Sequence, residues 1–463
     1  MKPHTVAPLL LAVALLPTSS PTPAIAQPLT TTQSSATAQA PAIPQPARTH
    51  ASATTRTPAI PQLAVQPGHA QTSGVPWIAH VHARSQAPAA PWLAVQPVHT
   101  QTSTAPWPTH AQAPVTGRSV HAEPTRRQAV QAALDALVAA GAPGALAETR
   151  DENGHWTGTA GTGDLRTHAP VPRNGRWRIG SVTKSFVAAL VLKLADEKKI
   201  TLDAPIGRYL PGLLPRQDKI TVRMLLNHTG GIADYAATFD QTPAGLRRLG
   251  ETTYTPRRLI ALGTGLPPTS DPGVRWAYSN TGYAALGLMI EKVTGQSLSV
   301  ALRTRVIVPL GLRATYLPTT ARGITGPHPH GYMRDEKNRL EDITTFNPSN
   351  AWAAGAIVST ASDVNHFFDQ LLRGRLLSPA LLAQMKQTVP VAPGFEYGLG
   401  LMKLTLSCGT TVWGHKGHIP GYATYSFHTD RRDITVAATA LPSLNDAAID
   451  QAMNQALNAE FCS

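Results

Sequence analysis

Apolar positions change character along this chain. Ala7 to Leu16 is a short unbroken apolar run behind Lys2, followed by Ala24-Ile25-Ala26, a small-x-small cleavage pattern. This predicts a secretory signal peptide over residues 1–26, too short and too Pro-flanked to span a membrane. Residues 27–122 are rich in Pro, Ala, Thr, Gln and Ser and carry no amphipathic period. Such a segment buries too little apolar surface to offset the entropy of ordering it. It also repeats itself: Pro61–His80 and Pro91–His110 share L-A-V-Q-P, Q-T-S and Pro-Trp, and Pro41-Ala-Ile-Pro-Gln45 recurs at Pro58. Repeats this few and this Pro-rich do not build a solenoid; they predict a disordered, extended linker. Trp77, Trp92 and Trp107 are its candidate partner contacts, a duplicated spacer being the plainer reading.

Regular periods return in residues 123–463, read as one catalytic domain. Thr125 with Gln128 forms a capping-box pattern, and Val130, Leu134, Leu137 and Val138 share one helical face. Ala145–Thr149 and His155–Thr159 read as strands joined at Asn153-Gly154, a hairpin signal. Ser181 to about Leu317 is largely helical in pattern, with Pro/Gly-rich loops. Thr411–Trp413, Tyr422–His428 and Ile434–Thr439 alternate like antiparallel strands, and Ile449, Met453, Leu457 and Phe461 keep helical spacing. The expected fold class is α+β: an antiparallel sheet made from N- and C-terminal segments, flanked by helices, with an inserted mainly helical subdomain.

Charge and cysteine content narrow the setting. The formal net charge is +13, and no acidic residue precedes Glu123. The folded part is moderately basic, which suits an anionic cell envelope or simply aids solubility. It shows no Lys/Arg stripe, so nucleic acid is not an expected partner. Cys408 and Cys462 are an even pair in an exported chain, which favours a disulfide over two buried thiols. No cysteine follows the cleavage pattern and no apolar tail precedes Ser463, so no lipid or membrane anchor is expected. The localisation read from this is secreted, extracellular or wall-associated, as a monomer.

Three short patterns carry the chemistry. Arg178-Ile-Gly180 leads into Ser181-Val-Thr-Lys184, and an apolar helix follows. Ser181 and Lys184 then lie one turn apart on one helical face, a hydroxyl nucleophile beside an amine that serves as base when neutral. S-x-x-K alone arises by chance about once in a chain of this length; its place between a glycine and a helix strengthens it. Tyr278-Ser-Asn280 offers a phenol to relay a proton, if a neighbouring ammonium lowers its pKa, and an amide to hold a substrate amide. A common turn with a core tyrosine is the alternative. His415-Lys416-Gly417-His418 suits a strand edge that accepts a peptide by β-augmentation, or a Gly-rich turn beside a structural histidine. The backbone amides of His418 and Ser181 would pair as an oxyanion hole. His328-Pro-His330 lacks any metal-site spacing such as H-E-x-x-H, so no metal and no cofactor are expected.

Together these patterns resemble the penicillin-recognising serine hydrolases, specifically secreted D-alanyl-D-alanine carboxypeptidases related to class C β-lactamases. Leu225–Gly231, Val308–Leu312, Gly355–Asp363 and Tyr397–Gly400 fit the same group, and the two cysteines fall where its secreted actinomycete members carry theirs. The resemblance implies that Ser181 is acylated, Lys184 is the base, Tyr278 shuttles protons and Asn280 grips the substrate amide. His415, Lys416, Gly417 and His418 form the substrate-binding strand. Lys416 stands where these carboxypeptidases carry threonine, and an arginine expected shortly before Cys408 is missing, with Met402 and Lys403 nearby. The expectation is that Lys416 supplies the positive charge for a terminal carboxylate. The implied substrates are peptidoglycan stem peptides or β-lactams. A β-lactamase, an esterase or a D-amidase is the alternative within the group, and a penicillin-sensing or envelope-binding protein the alternative without catalysis.

Overall fold

A computed structural model describes residues 125–152, 154–440 and 447–462; the signal peptide and linker expectations fall outside them. Helix α1, Arg126–Ala139, starts at the predicted capping box: the Thr125 side chain accepts from the Gln128 amide and the Gln128 side chain accepts from the Thr125 amide. It packs Val130, Leu134 and Leu137 inward. Strands β1, Gly144–Asp151, and β2, Gly154–Asp164, pair in the register Asp151↔Gly154, which makes the expected hairpin.

Seven more strands complete one antiparallel sheet. They are β3 (Ala169–Pro170), β4 (Val389–Ala392), β5 (Phe395–Tyr397), β6 (Met402–Thr405), β7 (Thr411–Ile419), β8 (Tyr422–His428) and β9 (Asp433–Ala438). Their order is β3-β2-β1-β9-β8-β7-β6-β5-β4. The join of the two chain ends is β1 against β9, from Ala145↔Ala438 to Arg150↔Asp433. The sheet is therefore built from both termini around an inserted helical region, as the periodicity predicts. Strands β4 to β6 are additional to that expectation.

Both faces of the sheet are covered, so β8 and β9 are buried along their whole length although their sequences alternate. On one face Ala145, Ala147, Val412, Tyr425 and Val436 pack with α1 and with the terminal helix α6, Ala447–Phe461, whose Ile449, Met453 and Leu457 point inward. On the other face Leu146, Ile419, Tyr422 and Ala437 join the helical region. Its centre is α2, Thr183–Asp196, in which every residue from Thr183 to Leu192 is buried. A helix apolar all round belongs in a core, and here that core fixes where its first turn sits. Against α2 pack α4, Asn280–Thr294, and α5, Ala361–Leu372, with the short helix α3, Val222–Leu226, beside α4. Among the described residues no helix is long and apolar enough to cross a membrane.

Cys408, in the turn between β6 and β7, is disulfide-bonded to Cys462 just beyond α6, across a separation of 54 residues. Closing a loop of that size removes about 4 kcal/mol of chain entropy from the unfolded state. The Cys408→Ser/Cys462→Ser double variant is therefore expected to lose on the order of 4 kcal/mol in denaturant unfolding; an unchanged midpoint and slope would count against this role.

Candidate active site

Ser181 sits in a single 3-10 turn, Gly180–Val182, that feeds directly into α2. Gly180 has φ +54°, a left-handed conformation that glycine adopts without strain. One turn on, Lys184 is wholly buried. Its Nζ lies 3.0 Å from Ser181 Oγ, 2.7 Å from Asn280 Oδ1 and 2.7 Å from the Ala354 carbonyl. Burial pulls its amine from 10.5 down to about 7, with Asp234 opposing. Near that pH the amine spends much of its time neutral. Two N–H bonds then serve Asn280 and Ala354, and its lone pair faces the Ser181 hydroxyl.

Tyr278 donates its hydroxyl to Ser181 Oγ at 2.8 Å. The expectation that a neighbouring ammonium lowers its pKa is not met: burial dominates and pushes the phenol well above its usual value. At neutral pH Tyr278 is a proton donor, not a phenolate. Ser279 caps α4 by accepting from the Gly282 amide, which puts Asn280 at the helix's first position. Asn280 is oriented by Asp234, which accepts from its side-chain Nδ2 at 2.9 Å and from its backbone amide at 3.2 Å. Because Nδ2 is held by a carboxylate, Oδ1 is the atom left to face Lys184.

The third pattern lies on β7. A Cβ on Gly417 would stand 2.1 Å from the Ile179 carbonyl and 3.1 Å from the Ser181 nitrogen, and one on Gly180 would stand 2.8 Å from the His418 nitrogen. Strand and nucleophile turn meet backbone to backbone, which brings the Ser181 and His418 amides together. His415 is buried; its Nε2 meets the Tyr397 hydroxyl at 2.9 Å, and desolvation keeps the ring neutral with a pKa of about 3. Alternation then turns Lys416 and His418 to the opposite face, against α6. The Lys416 ammonium lies 4.3 Å from the Tyr425 ring centre and 3.4 Å from Asn454 Oδ1, while His418 Nε2 lies 3.3 Å from Asp450 Oδ1. The expected cation for a substrate carboxylate is thus not presented on the Ser181 side, because β7 is packed on both faces and Lys416 falls on the wrong one.

Sequence reading passed over Asp234, His228 and the Ala354 carbonyl. Asp234 has no local signature and is 46 residues from the amide it orients. His228 lay inside a stretch that fitted the resemblance, yet nothing in that stretch pointed to Tyr278. A beta-lactamase family model matches residues 128–457, most of the chain.

The chain belongs to the beta-lactamase family. Within it, the structure of a D-stereospecific amidohydrolase from a Streptomyces species is similar with 38% identity and a TM-score of 0.67, covering 73% of this chain and 99% of that one. The D-amino acid amidase of Ochrobactrum anthropi, complexed with D-phenylalanine, is 25% identical with a TM-score of 0.64, covering 72% of this chain and 98% of that one. Penicillin-binding protein 4 of Amycolatopsis lactamdurans is 29% identical over 56% of this chain and 70% of its own length. A penicillin-binding protein of Bacillus subtilis is 26% identical over 60% of this chain and 66% of its own. The chain thus spans about two thirds of the length of these curated relatives.

The backbone contact at Gly417 is testable through the reaction of Ser181 with an activated ester. A Gly417→Ala change forces β7 away from Ser181 and is expected to slow acylation by an activated ester roughly 100-fold while the protein still folds. Acylation at the wild-type rate would show that the close approach is dispensable.

Proposed function

We propose that this serine hydrolase cleaves an amide or ester bond on the carbonyl side of a D-amino acid through an acyl-enzyme on Ser181, and that it is secreted, with residues 27–122 as a spacer. The observation that carries the reading is the convergence of Lys184 Nζ and the Tyr278 hydroxyl on Ser181 Oγ. Ser181 Oγ attacks the carbonyl carbon and its proton passes to neutral Lys184. The Ser181 and His418 amides receive the developing oxyanion. As the bond to the leaving nitrogen or oxygen breaks, Tyr278 gives that atom a proton, and the Lys184 ammonium restores the phenol. Water then repeats the sequence in reverse roles to release the acid.

The leaving group follows from β7. With Lys416 drawn to α6, its ammonium is not offered to a terminal carboxylate on the Ser181 side. An uncharged amide or ester suits it better, and the Streptomyces amidohydrolase and the Ochrobactrum amidase support the same choice. Release of a terminal D-alanine from peptidoglycan stem peptides is the second reading, favoured by the penicillin-binding relatives; it requires Lys416 to turn towards the substrate.

A D-amino acid amide is expected to be hydrolysed well ahead of its L-enantiomer and of a D-Ala-D-Ala peptide, with intact mass showing the acyl group on Ser181. Faster cleavage of the D-Ala-D-Ala peptide would favour the second reading, and absence of any adduct or product would refute both. The pH profile gives a separate check. The base must be neutral, so kcat/KM should fall as pH drops through about 7 and level off above it; a limb near the ordinary lysine value would contradict this role for Lys184.

A further inference from the structure

His228 is absent from the proton route above, yet its placement is unusual. It is 2% exposed and adopts φ +62°, a left-handed conformation rare outside glycine and asparagine. Its backbone carbonyl accepts from the Ala277 amide at 2.9 Å, and its ring Nδ1 accepts from the Ser279 amide at 3.2 Å. These amides flank Tyr278 on either side. The imidazole also lies 4.4 Å from the Tyr278 ring, centre to centre. The remaining wall is aromatic: Tyr397 at 4.8 Å, Tyr283 at 5.3 Å and Trp276 at 6.0 Å.

The rest of the loop hangs from the same segment. The Thr229 carbonyl accepts from Gly273 and the Gly231 carbonyl from Thr269, while Ser279 and Thr281 donate their hydroxyls to the Ala233 carbonyl. Two side chains of the segment accept from the backbone around Tyr278: Asp234 takes the Asn280 amide, and His228 Nδ1 takes the amide directly after the tyrosine. That bond requires an unprotonated Nδ1, which places the ring proton on Nε2. Burial and the nearby Lys184 and His415 keep the ring neutral, well below the usual histidine range.

We propose that His228 is a positioning residue for Tyr278, its carbonyl and Nδ1 clamping the two amides around that tyrosine so that the phenol meets the leaving atom. This rests on the acyl-serine reading given above and specifies which step the clamp serves. Misplacing a reacting group by about 1 Å costs on the order of 100-fold in rate. The loss should therefore fall on substrates whose leaving atom needs a proton, and spare those whose leaving group departs as a stable anion.

The test uses one D-acyl group as a simple amide and as a p-nitrophenyl ester, with thermal unfolding followed alongside. His228→Gly tolerates the left-handed backbone and removes the acceptor. It is expected to lose roughly 100-fold in kcat on the amide with KM little changed, while acylation by the ester, read as the pre-steady-state burst of p-nitrophenol, stays near wild type. His228→Asn also tolerates that backbone and sets Oδ1 where Nδ1 was, so it should recover most of the amide activity. Equal losses on amide and ester, or an undiminished amide rate in His228→Gly, would overturn the clamp. If His228→Gly does not fold, His228→Asn decides alone: an amide-to-ester ratio near wild type supports the acceptor role, and a ratio fallen about 100-fold overturns it. Failure of the acyl-serine reading is distinct, because there the wild-type protein would turn over neither substrate and carry no adduct on Ser181.

Discussion

A lysine amine with no exposed surface is the condition around which this fold is arranged. Removing an ammonium from water carries a penalty of several kcal/mol unless acceptors replace the lost hydration. Three acceptors do so for Lys184, and they come from distant parts of the chain: Ser181 from its own turn, Asn280 from α4 and a carbonyl from the segment before α5. In the proposed mechanism the same penalty serves the reaction, since a base must be neutral. Asp234 is the counterweight. Its carboxylate favours the ammonium directly and also orients the Asn280 amide that accepts from it, while burial still leaves the amine an accessible neutral form.

The sheet supplies the second half of the site. Strand β6 pairs with β7 only from Thr411 to Gly414, while β8 pairs with it as far as Ile419. The stretch from His415 to Ile419 therefore has one edge without a strand partner among the described residues, next to the nucleophile turn. An extended acyl chain can add there through backbone hydrogen bonds, which are indifferent to side-chain identity. On the proposed reading, selectivity comes from chirality at the acyl residue and from the leaving group rather than from a long peptide sequence.

Much of this was legible in the chain because its signals are local. A capping box, a hairpin turn and an S-x-x-K ahead of an apolar helix each reside within a few residues and a known period. The sheet's closure was legible for a related reason, since the strands near both ends carry strong β patterns and need partners. Strands β4 and β5 escaped because they are three or four residues long, joined at Gly394, and carry Pro390. The direction of Lys416 escaped for a deeper reason. On a strand buried on both faces, period-2 alternation says that His415 and Lys416 diverge, but which face meets Ser181 depends on what packs there. Asp234 and His228 act across 46 and 51 residues, with a non-glycine left-handed backbone at His228 that no propensity announces.

Helix α6 explains how β7, unpartnered on one edge from His415 to Ile419 among the described residues, stays still beside the Ser181 turn. It runs antiparallel to β7 and is fastened to it at both ends. At one end Cys462 is bonded to Cys408, just ahead of the strand. At the other, Asp450 accepts from the Tyr425 hydroxyl at 2.8 Å and lies beside His418, and Asn454 meets Lys416. Lys416 and His418 thus serve β7 as anchors. Donors aimed at a developing charge are most effective when they need not reorganise as the charge forms. Turning Lys416 away from the Ser181 side and bracing the strand that carries the His418 amide are two consequences of one packing arrangement; in the proposed mechanism the site forgoes a cation for a carboxylate and keeps the aim of its oxyanion donors fixed.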